Sequence, residues 1–295
     1  MNISKMNIIK LKLLKILHKP NFVLMLLSIL LIAVLIITYM IYTATHYNIE
    51  FYQVSNNYLK NNMRIVFVSD LHNHEYGKDN ERLINDIRAL KPDLIISGGD
   101  LVIERNDDYS SMLNFCTELS QIAPFYGILG NHEEERIYLR KDKELRKAFE
   151  NAGLKILANE SAKITIKGNE IELIGISGGD KQFDLYGARE FMDNLPKKTA
   201  DIRICISHVP ITFVTKLNGY DFDFGLSGHT HGGLIVIPKL GGLYSSEEKF
   251  FPDYYAGLYK ADNAEFVISA GLGDSRPIPR INNPHELSVI DLKRY

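Results

Sequence analysis

Two histidines, His229 and His231, stand one residue apart in the stretch FGLSGHTHGG, where a short apolar run ends among glycines. In an extended chain such side chains point the same way, and the glycines allow the backbone to turn sharply beside the rings. Imidazole nitrogens placed in this way can hold a metal ion. The same pair also fits a structural role, so the two roles have to be distinguished by residues elsewhere in the chain.

Other apolar runs in this chain also end in polar residues that can hold a cation. Runs rich in Val and Ile and bounded by Gly or Pro are typical of buried strands. In α/β proteins the ligand site lies beyond the carboxyl ends of the strands, so we expect these residues to meet in one crevice. They are Asp70, His72, Asp100, Asn131, His132 and His208, and the histidines at 229 and 231 join them.

The types of side chain in this set indicate which ions would bind. Carboxylates, an amide oxygen and imidazoles together suit divalent Mn, Fe or Zn. Because no cysteine is among them, a structural zinc site built on thiolates is not expected. The candidates outnumber the ligands that one ion needs, so we predict two divalent metal ions. A carboxylate can bridge two such ions, and a pair of ions is a common clamp for phosphoryl groups.

The motifs DLH, GGD, GNHE, SHVP and GHTHGG follow one another in this order. From Met63 to the C-terminus the chain thereby resembles the calcineurin-like metallophosphoesterases. The uncharged apolar run near its N-terminus, described below, makes it similar to the membrane-anchored bacterial branch of that family. The resemblance implies an α/β fold, a four-layer αββα sandwich of two mixed β-sheets flanked by helices. It also implies two overlapping ligand sets: Asp70, His72, Asp100 and His231 for one ion, and Asp100, Asn131, His208 and His229 for the other.

The resemblance further implies a reaction. A hydroxide that bridges the two ions would attack phosphorus in line. His132 is expected to face the substrate, where its imidazolium would donate to the phosphate or protonate the leaving oxygen. His74, Arg276 and Arg280 are candidates for contacts to substrate phosphate, and each is equally consistent with an ordinary loop or surface position.

The segment LIVIPKLGGLYSSEEKFFPDYYAGLYK follows the paired histidines and is rich in aromatic residues. Its rings either pack a long ordered loop or form an apolar lip beside the metals. Such a lip would suit a greasy or sugar-bearing substrate, or would rest on a bilayer.

Secondary-structure signals support the α/β assignment. Helical spacing of apolar residues predicts helices over 80–90, 108–122 and 136–153. Hairpins are expected to turn at Gly168–Asn169 and Asp262–Asn263. Strand–helix units first and hairpins later favour two packed mixed sheets with helices outside.

The N-terminal part is typical of a membrane anchor. The chain carries no charge from Asn21 to Thr45, and about 20 apolar residues span a bilayer as a helix. A cleaved signal peptide is the alternative, but it would have a shorter apolar run and a small-x-small site, whereas Tyr42 stands two positions before Ala44. The lysines before the anchor place the N-terminus in the cytoplasm and the catalytic domain on the extracytoplasmic side.

The predicted organisation is therefore a basic cytoplasmic N-terminus at 1–20, a transmembrane anchor at 21–45, a connector at 46–62 and a metallophosphoesterase domain at 63–295. Among the 295 residues, 34 are basic and 36 acidic, and five lysines precede the first acidic residue. The remainder holds 29 basic against 36 acidic residues, so nucleic acid is not an expected partner. Two cysteines cannot build a disulfide framework.

The function that these observations favour is metal-dependent hydrolysis of phosphate monoester, diester or pyrophosphate bonds. With the anchor, envelope lipids or lipid-linked nucleotides are the substrates to consider. Two alternatives stay open at this stage: a nucleotide phosphodiesterase, and a non-catalytic metal-binding scaffold of the same fold. The sequence does not fix the metal or the oligomeric state.

Overall fold

The computed structural model describes residues 20–245, 248–261, 264–276, 278 and 280–295. The described chain contains an N-terminal helix and a separate compact body over His46–Tyr295. Residues 1–19 of the expected basic segment, and the expected turn at Asp262–Asn263, lie outside the described residues.

The N-terminal helix, α1, runs over Pro20–Thr45 and has no buried residue. Its 26 residues correspond to about 39 Å at 1.5 Å per residue, which exceeds the hydrocarbon thickness of a bilayer. By length and composition α1 is a candidate membrane-spanning helix, and a signal sequence near an N-terminus has the same properties.

The first sheet of the body has six strands in the order β1–β16–β2–β3–β4–β5, and neighbours are parallel except at β16–β2. The interval 46–62, expected to connect anchor and domain, contains β1, which pairs with β16 along its whole length. The strands are β1 (Tyr47–Ser55), β2 (Met63–Val68), β3 (Leu94–Ser97), β4 (Phe125–Gly127), β5 (Lys155–Ile156) and β16 (His285–Lys293).

The second sheet has the order β14–β15–β9–β8–β7–β6, with parallel pairing from β15 to β7 and an antiparallel strand at each edge. The β6–β7 turn lies at Lys167–Gly168, one residue before the predicted position. The strands are β6 (Glu160–Ile166), β7 (Asn169–Ile176), β8 (Ile202–Ser207), β9 (Phe224–Ser227), β14 (Gly257–Ala261) and β15 (Ala264–Ile268).

The aromatic segment forms two short antiparallel pairs beside this sheet. The first joins β10 (Val236–Ile237) to β11 (Gly241–Gly242), and the second joins β12 (Tyr244–Ser245) to β13 (Lys249–Phe250).

The alternation of side chains along β2 shows how the layers form. Ile65 and Phe67 pack in the core between the two sheets, while Val66 and Val68 pack in the core beneath the helices. This period of two is what a strand buried on both faces requires. A third core covers the other face of the second sheet, which completes the predicted αββα sandwich. The helices are α2 (Glu81–Leu90), α3 (Ser110–Ile122), α4 (Asn131–Tyr138), α5 (Glu144–Asn151), α6 (Ala188–Asp193) and α7 (Ile211–Thr215).

The prediction of one helix over 136–153 is wrong. Two helices occupy this region, and the chain between them turns through Lys141, whose φ is 61°. The Arg136 guanidinium donates to Asp142 across this turn at 2.8 Å. The first of these helices, α4, begins at Asn131, so Asn131 and His132 lie on its first turn.

A buried ion pair joins β8, the strand that precedes His208, to its neighbour β7. Arg203 Nε donates to Glu172 at 2.8 Å, with side-chain exposures of 3% and 1%. We expect Arg203→Ala to lower the free energy of unfolding by about 3–5 kcal/mol, because it leaves Glu172 buried without its partner. Urea unfolding followed by circular dichroism measures the change. Arg189→Ala removes the exposed pair with Asp184 and should have a much smaller effect; equal effects of the two variants would contradict the prediction.

Candidate metal centre

The predicted metal ligands all follow the carboxyl ends of parallel strands, and the structure brings them together. Asp70 and His72 follow β2, Asp100 follows β3 and Asn131 follows β4. The second sheet contributes the histidines at 208, 229 and 231, after β8 and β9. The two sheets therefore supply ligands to one centre from opposite sides.

A first group of ligands consists of Asp70, His72 and His231. The Nε2 atoms of the two histidines lie 3.2 Å apart. Asp70 Oδ1 is 3.9 Å from His72 Nε2 and 3.8 Å from His231 Nε2. These three donor atoms surround one position.

A second group consists of Asp100, His208 and His229, with Asn131 beside them. His208 Nε2 is 3.0 Å from Asp100 Oδ2, 3.1 Å from Asn131 Oδ1 and 3.2 Å from His229 Nδ1. Asp100 Oδ2 is also 3.9 Å from His72 Nε2 in the first group. The Asp100 carboxylate therefore lies between the two groups.

The chemistry of these donors fits divalent metal ions. Each group presents two imidazole nitrogens that face each other beside a carboxylate oxygen, an arrangement that a cation between them stabilises. The Nδ1–H of His208 donates to the carbonyl of Gly98 at 2.8 Å, and this leaves Nε2 directed at the centre. This is the outer hydrogen bond that fixes the orientation of most histidine ligands.

The pKa values of the buried histidines agree with this interpretation. Burial lowers the pKa of His72 to about 4 and that of His231 to about 3, so both are neutral and able to ligate a metal. At His208 burial also lowers the pKa, but the carboxylates of Asp100 and Asp70 outweigh it and raise the pKa to about 10. The two carboxylates thus favour a positive charge in the centre, which is the charge that a metal ion supplies.

The ligand-bearing turns adopt strained backbone conformations. Positive φ is uncommon outside glycine and costs about 1–3 kcal/mol where the surrounding structure enforces it. Backbone hydrogen bonds join the turns after β2 and β3, from Asp70 N to Gly99 O and from His72 N to Asp100 O, both at 3.0 Å. Left-handed φ values occur at Asp70 (55°), His72 (51°), Asp100 (53°), His229 (70°) and His231 (49°).

These φ values correct one sequence-based argument. The alternation expected for an extended chain does not place His229 and His231, because both lie on a left-handed turn after β9. They do not point the same way to one ion but enter different groups.

His132 lies beside the centre on the first turn of α4. Its Nε2 is 3.8 Å from Asp100 Oδ2, and its backbone N–H donates to Asp100 Oδ1 at 2.9 Å. Its Nδ1 is in short contact with the Glu104 carboxylate, and both side chains are largely buried. Burial lowers the pKa of His132, but the charges of Asp100 and Glu104 outweigh it and raise that pKa.

Sequence reasoning did not single out Glu104. Its place four residues after Asp100, in the same loop, was visible in the sequence, but only the fold shows that it faces His132. Glu133, by contrast, supports the centre through the backbone: its carboxylate accepts from the N–H groups of Asp100, Val102 and Gly130 at 2.7 to 2.9 Å.

A cavity of about 290 Å³ opens beside the ligands and His132. Its outer wall comes from the segments after the paired histidines and carries apolar side chains, two cations and the carboxylate of Asp274, which accepts from Arg280. The wall residues include Leu234, Tyr244, Lys249, Arg276 and Ile278.

The three expected phosphate contacts lie in different surroundings. Arg276 lines the cavity. Arg280 takes a different role from the expected one, because it is buried and donates to Asp274 at 2.7 Å and to the carbonyls of Ala270 and Gly273 at 2.6 and 2.7 Å. It thereby supports the turn against which His231 Nδ1 lies, 3.2 Å from Gly273 O.

His74 packs its ring against Tyr76 and His285, with ring centroids 4.6 and 5.5 Å away. His285 contacts Asp274 at 2.9 Å and the Tyr76 hydroxyl at 2.7 Å. Both histidines therefore belong to a packed network behind the turn that Arg280 holds.

Gly228 allows β9 to approach the Asp70 turn closely. A Cβ atom at this position would collide with the Asp70 carboxylate and the Ser69 hydroxyl. We therefore expect Gly228→Ala to displace Asp70 and to lower the metal content of the purified protein, measured by elemental analysis. Gly219→Ala is the control: its φ of 86° strains an alanine there, but the added Cβ meets nothing within 4 Å, so the metal content should not change. Unchanged metal content in Gly228→Ala would show that Asp70 is dispensable for binding.

Comparison with known proteins identifies relatives of this chain. The model of the calcineurin-like phosphoesterase family matches residues 63–233, an interval that contains every predicted metal ligand and His132. Phosphodiesterase YaeI of Escherichia coli (strain K12) is 27% identical over 235 residues, covering 78% of this chain and 82% of that protein. The uncharacterized metallophosphoesterase YkoQ of Bacillus subtilis (strain 168) is 24% identical over 233 residues, covering 77% and 82%.

Among solved structures, the 5'-nucleotidase precursor from Thermus thermophilus superposes with a TM-score of 0.47 at 15% identity, over 78% of this chain and 54% of that chain. This chain thus spans about half the length of that nucleotidase.

Proposed function

The chain belongs to the calcineurin-like phosphoesterase family and is a hydrolase of ester bonds, and from this premise we propose that two divalent metal ions in its centre serve the hydrolysis of a phosphodiester. The observation that carries the proposal is the pair of ligand groups with Asp100 between them. A carboxylate in this position can be shared by two ions, and paired ions clamp the phosphoryl group in transfer reactions.

The proposed ligand sets follow the two groups. One ion would be held by Asp70, His72, Asp100 and His231, and the other by Asp100, Asn131, His208 and His229. Bound there, the ions would supply a nucleophile at neutral pH and neutralise charge on the phosphate oxygens.

His132 is proposed as the proton donor. The Glu104 carboxylate accepts from Nδ1–H and thereby orients the ring, so that Nε2 remains available to the cavity. The Glu104 carboxylate is one of the charges that raise the pKa of His132, and it favours the imidazolium that a general acid requires. In the proposed step, Nε2–H gives its proton to the leaving oxygen, and the ring that remains is a neutral imidazole whose Nδ1–H stays bonded to Glu104.

Two observations support a diester and an amphiphilic substrate. A relative that aligns over most of this chain is named a phosphodiesterase. The cavity wall combines apolar Leu234, Tyr244 and Ile278 with the cations Lys249 and Arg276, which suits an ester with an apolar part and additional negative charge. We further propose that α1 anchors the protein, with the lysines of the first 19 residues in the cytoplasm and the body on the other side.

The test uses the full-length protein, purified in mild detergent and supplied with Mn²⁺. We expect it to hydrolyse bis-p-nitrophenyl phosphate faster than p-nitrophenyl phosphate, to lose this activity in a chelator and to regain it when Mn²⁺ is restored. Faster cleavage of the monoester would contradict the diester assignment. A metal-loaded protein that cleaves neither ester would favour the non-catalytic scaffold.

A further inference from the structure

Large apolar side chains are exposed around the mouth of the cavity. In the described part of the body, several of the most exposed ones come from the two segments that build the outer cavity wall. We call these residues, with the cations described below, the basic apolar rim. Its apolar members are Leu240 (67% exposed), Phe250 (69%), Phe251 (53%), Ile278 (40%) and Ile281 (46%).

Backbone pairing holds the rim together as one surface. Leu240 lies in the turn between β10 and β11, and β10 makes a further backbone bond, in which the N–H of Val236 donates to Ile281 O at 3.0 Å. The N–H of Phe251 donates to Leu243 O at 2.9 Å, next to β12. The Phe250 ring packs on Tyr244, with centroids 5.6 Å apart. Tyr244 in turn lines the cavity, so the rim is continuous with the cavity wall.

Among its described residues the rim carries three exposed cations, with one exposed acid, Asp253, beside them, although the body as a whole is acidic. Lys239, Lys249 and Arg276 are exposed between the apolar side chains, while the chain after its first five lysines holds 29 basic against 36 acidic residues. In the described part of the turn between β12 and β13, the acidic residue is Glu248. Its carboxylate accepts hydrogen bonds from the N–H groups of Asp253 and Tyr254 at 3.1 and 3.2 Å.

We propose that the basic apolar rim docks onto the surface of an anionic lipid bilayer. Exposed Leu, Ile and Phe among Lys and Arg is the composition with which interfacial segments enter the boundary between headgroups and acyl chains. Each cation near such a surface adds attraction to anionic lipid, which a neutral partner would not provide. The chain itself brings a bilayer to the body, because α1 precedes it directly in sequence and has the length and composition of a membrane span.

Docking would place the cavity mouth at the level of the lipid headgroups. If the proposed function is correct, on which this consequence rests, the substrate is a phosphoester presented from the bilayer and not one taken from solution. The rim then acts as a selector of substrates by location, while the centre performs the hydrolysis.

The chain contains no tryptophan, so a single introduced tryptophan reports on its own surroundings. Full-length Phe250→Trp is reconstituted into phosphatidylcholine–phosphatidylglycerol vesicles, with or without dibrominated phosphatidylcholine as a quencher. We expect its emission to shift to shorter wavelength and to be quenched by the brominated lipid. Leu185→Trp is the matched control, because Leu185 is 81% exposed and does not belong to the rim; its emission should stay water-like and unquenched.

Adding Lys239→Gln to Phe250→Trp tests the electrostatic part. Loss of one cation should lower the ratio of docked to free rim about fivefold in anionic vesicles, with little change in vesicles of phosphatidylcholine alone. Absence of quenching at position 250 overturns the proposal. This holds even when the emission is shifted, because a shift without quenching indicates that protein, such as a second copy of the chain, covers the tryptophan. Equal quenching at 250 and 185 overturns it too. None of these readouts requires turnover, so failure of docking is distinguishable from failure of the proposed hydrolysis.

Discussion

Replacing His132 by glutamine is expected to lower kcat for diester hydrolysis by about 10²–10⁴-fold, the usual contribution of a positioned general acid. Glutamine keeps a polar side chain of similar length but cannot donate a proton from a cationic group. Because His132 is absent from both proposed ligand sets, the metal content per chain should stay that of the unmodified protein. Steady-state kinetics and elemental analysis on the same preparation measure the two quantities.

The matched control for this variant is His74→Gln, since the His74 ring packs against Tyr76 and His285. It should retain near-normal turnover. A different outcome for His132→Gln would also be informative, because His132 is close enough to His72 and Asp100 to bind a metal ion with them. Loss of metal with retained activity in His132→Gln would reassign this residue from proton donor to ligand.

Asp100→Asn is expected to remove activity even though it preserves the size of the side chain. The Asp100 Oδ2 atom is 3.0 Å from His208 Nε2 and 3.9 Å from His72 Nε2, so one anionic group could serve both proposed ion positions. An amide lacks the negative charge and the second anionic oxygen that this sharing requires. We expect kcat/KM to fall by at least about 10²–10³-fold, the scale for loss of one group that stabilises charge in the transition state.

Metal content should fall in the same variant, since the charge that attracts both ions is reduced. Asp107→Asn serves as control, because that side chain is 94% exposed and the change should leave metal and activity unaltered. An Asp100→Asn protein with full metal content and a normal rate would refute the shared-ligand assignment.

The sequence was sufficient for the parts of this structure that depend on local pattern. Along β2, apolar residues alternate between the two cores with period two, and a polar residue follows where the strand ends. Since parallel strands of one sheet end at one edge, the sequence was sufficient to place Asp70 and Asp100 in the same crevice. The αββα layering was implied by the family resemblance, and the order of strand–helix units and hairpins agreed with it.

Features that depend on contacts between distant segments were beyond the sequence. The helical pattern over 136–153 continues through Lys141, and only the left-handed turn at that residue shows where α4 ends. Arg280 fitted a phosphate contact or a surface position equally well in the sequence, whereas its guanidinium donates to Asp274 and two buried carbonyls. The pairing of Glu104 with His132 joins a loop to the first turn of α4, and no spacing rule connects them.

The strained turns belong to this second class. Non-glycine residues with positive φ at Asp70, His72 and Asp100 contradict local preference, and the bonds between the turns after β2 and β3 enforce them. Local sequence predicts the unstrained backbone conformation. Positive φ values at these functional turns therefore could not be predicted from the sequence of the turns alone.

The most direct test of the central claim is elemental analysis of the full-length protein combined with the diester assay on the same sample. The account predicts about two divalent ions per chain, a rate that falls as a chelator removes them and recovery of that rate when Mn²⁺ is returned. A protein that carries no metal and still hydrolyses the diester at an undiminished rate would contradict it.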